Sequence, residues 1–228
     1  MKHIILAGDS IFDNSAYINH NEPDVAAQVN SLMGQNDKVT LLAIDGDITS
    51  GVKTQLKRLP EDATHLFISV GGNDALGILH ELTRSSNTIG EAFYRFYDIR
   101  SAFEDKYSSM LNNAISHGLP TTVCTVYDPC FNHSKLHRVE GYMGYGISAE
   151  KMQKTTVTAL SIFNDIITRQ AVMAGLPIMD LRLIFNNDKD YANPIEPSTD
   201  GGIKMASIIK KIINDHGFHK KNTILYYK

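Results

Sequence analysis

Two kinds of hydrophobic pattern alternate along this chain. Short apolar runs without alternation are separated by longer stretches in which apolar side chains recur every three or four positions. The first run, Ile4 to Ala7, stops at Gly8-Asp9-Ser10. An unbroken run of this kind suits a strand covered on both faces. Residues 39–44, 66–70, 121–126 and 178–181 read as four further strands. Helical spacing lies between them. Val25, Val29, Leu32 and Met33 share one face of a helix that Pro23 starts. A short helical stretch runs up to Pro60. A long helix over 89–117 carries Phe103, Tyr107, Leu111 and Ala114 on one face. Another over 149–174 carries Leu160, Phe163 and Ile167. The last helix buries Met205, Ile208, Ile209, Ile212 and Ile213.

Strands alternating with helices predict an α/β fold, a parallel sheet with helices on both faces. Five strands predict a three-layer sandwich with the flavodoxin-like order 2-1-3-4-5. The pattern shows no repeat or linker, so residues 1–228 read as one domain. Residues 219–228 form a tail without a clear role, in which Ile224-Leu225-Tyr226 has the character of an edge strand. In a parallel sheet the loops after successive strands open at one edge, where ligands bind. Ser10, Gly46, Asn73, His133 and Glu196 are distant in sequence, and all fall on such loops.

Composition changes this picture little. Of 228 residues, 43% are hydrophobic, enough for a sizeable core, and the formal net charge is −3. No basic cluster stands out, which argues against nucleic acid or an anionic membrane as partner. No stretch has the length of a membrane span. The first apolar run is too short for a signal peptide, so the expectation is a cytoplasmic protein. Two cysteines, Cys124 and Cys130, make neither a disulfide framework nor a zinc site, and no spacing supports a metal or cofactor. The composition leaves the oligomeric state open.

The loop motifs carry the chemistry. Gly8-Asp9-Ser10, then Asp45-Gly46, then Gly71-Gly72-Asn73-Asp74 each follow a strand. Taken singly, each has a plain structural reading: a helix cap at Asp9 or Ser10, turns at Gly46 and Gly71, a turn-stabilising side chain at Asn73. Taken in order, they resemble the blocks of the SGNH hydrolases, also called GDSL esterases. The resemblance covers nearly the whole chain. It implies an esterase with Ser10 as nucleophile and a small-molecule ester as substrate. It also implies an oxyanion hole made by the backbone N–H groups of Ser10 and Gly46 and the side-chain amide of Asn73. Gly72 would lie along the substrate. Glycine at 46 would keep a side chain from crowding it, and Asp9 and Asp74 would hold loops. Each oxyanion donor is worth about 3–4 kcal/mol of barrier.

The fourth block departs from the family. Its Asp-x-x-His-Pro-Ser is here Asn193-Pro194-Ile195-Glu196-Pro197-Ser198, followed by Gly201. Pro-Ser and the glycine fix the register, so Glu196 stands where the family has histidine and Asn193 where it has aspartate. An asparagine could hydrogen-bond Glu196, where a second carboxylate would repel it. An ordinary glutamate has a pKa about 2 units below histidine, which weakens it as a base by about 3 kcal/mol. Burial would recover part of that. Two alternatives stay open. His133 or His137, from the loop after the fourth strand, could serve as base. Or catalysis is lost, and the fold binds a ligand at its oxyanion pocket. Residues 141–146 interleave glycine with Tyr142, Met143 and Tyr145. They read as a flap that contributes Tyr142 and Tyr145 to substrate binding, or as a plain surface loop.

Overall fold

The computed structural model describes residues 1–131 and 148–228. His133, His137, Tyr142, Met143, Tyr145 and the glycines between them lie outside the described residues.

The strands are β1 (His3–Gly8), β2 (Lys38–Leu41), β3 (His65–Ser69), β4 (Thr121–Cys124), β5 (Ile178–Met179), β6 (Tyr191–Asn193), β7 (Glu196–Pro197) and β8 (Leu225–Tyr226). Six of them form one parallel sheet in the order β2-β1-β3-β4-β5-β8. β6 and β7 pair separately as an antiparallel hairpin.

β1 explains its own sequence. It is hydrogen-bonded on both edges, to β2 and to β3, and all six of its residues are buried. Its two faces serve two cores. Ile4 and Leu6 point toward helices α1 (Val25–Leu32) and α7 (Thr199–Asp215), among Val25, Val29, Met205 and Ile209. Ile5 and Ala7 point the other way, toward α4 (Ile89–Ser116) and α5 (Ala149–Ala174), among Phe103, Tyr107, Phe163 and Ile167. A strand with two apolar faces has no polar side to show, hence the unbroken run. No helix among the described residues is long and apolar enough to cross a membrane.

The structure corrects the strand count. The sheet has six strands, not five, because the tail supplies a further parallel strand. Beyond β4, β5 would present unpaired N–H groups at an open edge. The tail carbonyls take them: Ile178 N–H donates to the Ile224 carbonyl at 2.9 Å, and Asp180 N–H to that of Tyr226 at 2.9 Å. Tyr226 is buried, with its hydroxyl 3.1 Å from His216 Nδ1. Residues 191–197, between α5 and α7 in sequence, hold the β6–β7 hairpin.

One close approach fixes the end of β1. A Cβ built on Gly8 would lie 1.8 Å from the Ser69 carbonyl oxygen of β3, and its φ is +132°. Both the space and the backbone conformation require glycine. Gly8→Ala is therefore expected to destabilise the protein by about 3 kcal/mol or more, since backbone must move. Chemical denaturation of the two proteins measures this, and a change under about 1 kcal/mol would show that the two strand ends can part freely.

Candidate active site

The site is assembled where β1 and β3 end. Past Gly8 the chain turns sharply. Asp9 N–H donates to the Ser69 carbonyl at 3.0 Å, and the Asp9 carbonyl accepts from Phe12 and Asp13. Ser10 rides on this turn, buried, with its hydroxyl directed at a carboxylate. Ser10 Oγ donates to Glu196 Oε1 at 3.1 Å across 186 residues of sequence.

Three neighbouring loops hold Glu196 in place. It opens β7, whose Pro197 carbonyl accepts from Asn14 Nδ2 at 3.2 Å, and Asn14 Oδ1 accepts from the Val25 N–H at the start of α1. On the other side, the Pro194 carbonyl accepts from Cys130 N–H at 2.8 Å, and the Ile195 carbonyl from the Tyr127 hydroxyl. After Glu196, Ser198 caps α7 by accepting from Gly201 N–H at 3.2 Å. A Cβ on Gly201 would lie 2.3 Å from the Asp190 carbonyl oxygen, so the start of this helix packs directly on the hairpin. The Pro-Ser and glycine of the fourth block are thus the parts that seat Glu196.

Asn193 does not act on Glu196. Its Oδ1 accepts from the Ile195 N–H at 3.0 Å and closes the hairpin turn. Glu196 Oε2 is buried and has no hydrogen-bond partner among the described residues. The side chain of an asparagine two residues before another backbone N–H finds that local bond first.

Asn73 lies in the first turn of α3 (Gly72–Leu76), and its Nδ2 donates to the Asp47 carbonyl at 2.8 Å. That uses one of its two N–H groups and leaves the other for a ligand. The backbone N–H groups of Ser10 and Gly46 donate no hydrogen bond among the described residues. Gly46 has φ +79°, and a Cβ there would meet nothing within 4 Å. Its glycine suits this backbone conformation, and the space beside it is free of protein atoms. Gly72, with Ser10, Asn73 and Glu196, lines the cavity at the site.

The loops are laced together by side chains that no motif announces. Gln55, on the short helix α2 (Val52–Gln55), accepts from the Gly8 N–H at 2.8 Å and donates to the Gly8 carbonyl at 2.7 Å. It also reaches Asp47 Oδ2 at 2.7 Å. Asp74 Oδ2 accepts from both the backbone and the hydroxyl of Thr49, each at 2.8 Å. Asp9 Oδ1 accepts from Ile11 N–H at 3.2 Å. Asp9 and Asp74 hold loops, and Gln55 joins the first two blocks. An isolated glutamine in a helical stretch gives no signal of this in the sequence.

Burial dominates the electrostatics. It pushes the Glu196 carboxyl up to about 8, against the Ser10 hydrogen bond that lowers it, with the charges of Asp9 and Asp45 raising it further. Asp9, fully buried, is likewise pushed up to about 8, chiefly by desolvation and partly by Asp74. Both carboxyls are therefore mostly neutral at pH 7. Among the described residues no three His, Cys, Asp or Glu side chains gather as a metal site.

No protein-family model matches this chain, and no curated protein sequence is detectably similar. Its similarity lies in solved structures. Phospholipase A1 from Streptomyces albidoflavus superposes with a TM-score of 0.64 at 13% identity, over 92% of this chain and 98% of the other. A GDSL-like lipase from Bacteroides thetaiotaomicron gives 0.57 at 15%, over 93% and 87%. An acetyl xylan esterase from Geobacillus stearothermophilus gives 0.59 at 15%, over 93% and 94%. At these identities the likeness establishes the fold.

The raised Glu196 carboxyl has a consequence for stability. The fold prefers its neutral form, so its contribution is fully present below the ordinary value of 4.5 and is lost as pH rises through about 8. Glu196→Gln removes this titration. The variant is expected to gain stability relative to wild type between about pH 5 and about pH 9, measured by denaturant midpoints. A difference that stays constant with pH would show that Glu196 is not desolvated.

Proposed function

We propose that this chain, which has the fold of the SGNH lipases and esterases, is a single-domain serine esterase that cleaves a small carboxylic ester through Ser10. The hydrogen bond from Ser10 Oγ to the buried Glu196 carboxylate oxygen carries this reading. A nucleophile needs a base within about 2.6–3.2 Å, and this pair meets that requirement without a histidine.

The chemistry follows from the groups in place. Glu196, as carboxylate, takes the Ser10 proton while Oγ attacks the ester carbonyl. The developing oxyanion is met by the backbone N–H groups of Ser10 and Gly46 and the remaining Nδ2–H of Asn73. Glu196 then returns the proton to the departing alcohol, and the acyl group rests on Ser10. Water activated by the same carboxylate releases the acid. Burial makes the substitution of glutamate for histidine workable. A carboxyl pushed up to about 8 is a stronger base than free glutamate, and is no weaker than an ordinary imidazole. Its cost is population: at pH 7 only about one-tenth is ionised. Asn193 shapes the turn that presents Glu196 and takes no part in the proton transfer.

A second reading, a binding protein without turnover, draws on the same observation. With Asp9 and Glu196 both neutral at pH 7, the pocket presents donors to a carboxylate or acyl oxygen without repelling it.

A fluorophosphonate probe separates the two. Stoichiometric labelling by intact mass, absent in Ser10→Ala, is expected, with a rate rising about tenfold from pH 7 to pH 9 as Glu196 ionises. Well-folded protein that stays unlabelled from pH 6 to pH 10 would leave the binding reading. In a labelling enzyme, Asn73→Ala is expected to lower kcat about 100-fold or more, the usual cost of one oxyanion donor. A change of less than threefold would remove Asn73 from the oxyanion hole.

A further inference from the structure

The cavity that Ser10 lines also reaches α3, α5 and the hairpin, and much of its lining is apolar. Leu76, Leu79, Phe131, Leu160 and Ile195 line it. The free space is about 50 Å³. A single water takes about 10–15 Å³ on this measure, so the pocket holds roughly four water-sized groups. An acyl chain entering from Ser10 must therefore be short.

Helix α5 adds a polar side chain to this lining beside the apolar Leu160. Thr156, on α5, is 94% buried, and its Oγ1 has no hydrogen-bond partner among the described residues. Thr156 lines the cavity together with the apolar residues around it. Helical threonines have an easy local solution, the carbonyl four residues back. Its neighbours take it: Thr155 Oγ1 donates to the Lys151 carbonyl at 2.6 Å, and Thr158 Oγ1 to that of Lys154 at 2.8 Å. Thr156 does not. Leaving a buried hydroxyl unpaired costs about 1–3 kcal/mol, so one kept unpaired at a cavity wall is the partner of something that enters the cavity. The other polar side chains of the pocket each hold a partner within the protein, although Glu196 Oε2 stays unpaired among the described residues. Asp9 holds Ile11, Asn73 holds Asp47, Tyr127 holds Ile195 and Ser10 holds Glu196.

Resting on the esterase reading, we propose that Thr156 determines acyl specificity and that the preferred substrate is an ester of a short hydroxylated acid. Thr156 receives the substrate hydroxyl, while the surrounding Leu and Phe side chains take its carbon atoms. A methyl in place of that hydroxyl would fit the space and leave Thr156 unpaired, and such a site discriminates by the missing hydrogen bond. Thr156 is a binding residue here and does not touch the reacting atoms.

The test is a reciprocal swap of hydroxyl and methyl on both partners. The substrates are p-nitrophenyl 2-, 3- and 4-hydroxybutyrate, each beside the analogue with methyl in place of hydroxyl, isovalerate for the 3-hydroxy ester. The enzymes are wild type, Thr156→Val and Thr156→Ser. Wild type is expected to favour one hydroxy ester over its methyl analogue by about tenfold in kcat/KM. Thr156→Val should abolish or invert that preference, and Thr156→Ser should retain it. Loss of the preference must appear in the substrate ratio, which a merely structural effect of the variant would not move. An unchanged ratio in an active Thr156→Val enzyme overturns the proposal. A parallel measurement titrates the ethyl esters into Ser10→Ala and Ser10→Ala/Thr156→Val by ligand-observed NMR. If no ester is hydrolysed but binding of the hydroxy ester still depends on Thr156, the esterase reading fails and the subsite stands. If binding shows no dependence either, both fall.

Discussion

The approach of Gly8 at the end of β1 to the Ser69 carbonyl of β3 sets the geometry of everything around it. It brings the ends of β1 and β3 together with no side chain between them. The turn that presents Ser10 and the loop that presents Asn73 start from those two ends. Gln55 bonds both sides of the Gly8 peptide and reaches Asp47, whose carbonyl in turn holds Asn73. The first three sequence blocks are therefore one hydrogen-bonded object. A side chain at position 8 would separate them before it disturbed any hydrophobic contact.

Glu196 joins this object from the far end of the chain. Its position depends on a hairpin secured to the loops after β1 and β4 and to the start of α7. That anchoring decides its chemistry. A carboxylate on a free loop would be solvated and a poor base for a serine. Held against Ser10 with one oxygen unpartnered, it is desolvated and raised into the range of a histidine. The aspartate that usually supports a histidine would only add a second negative charge. The asparagine found there serves the hairpin instead.

The apolar pocket beside this pair completes the division of labour. Polar groups concentrate at the strand ends, where acyl transfer would occur. On α5 the Thr156 hydroxyl stands out by contrast with its helical neighbours, because it has no partner among the described residues.

The sequence alone determined the layers and the edge at which the motif loops meet. An unbroken run such as Ile4 to Ala7 can be stable only between two apolar surfaces, and parallel strands must turn at one side. It also marked Ser10 and Glu196 through their motif register. Three things needed the tertiary structure. The sixth strand forms because β5 has an open edge, a condition that residues 224–226 do not announce locally. Asn193 turned to its own hairpin rather than to Glu196, since a nearby backbone N–H outcompetes a distant carboxylate. Gln55 gained its bonds, and Thr156 its place at the cavity, from what lies across space from them. Hydrophobic period is a property of neighbours along the chain, whereas hydrogen-bond partnership, desolvation and the lack of a partner are properties of the folded interior.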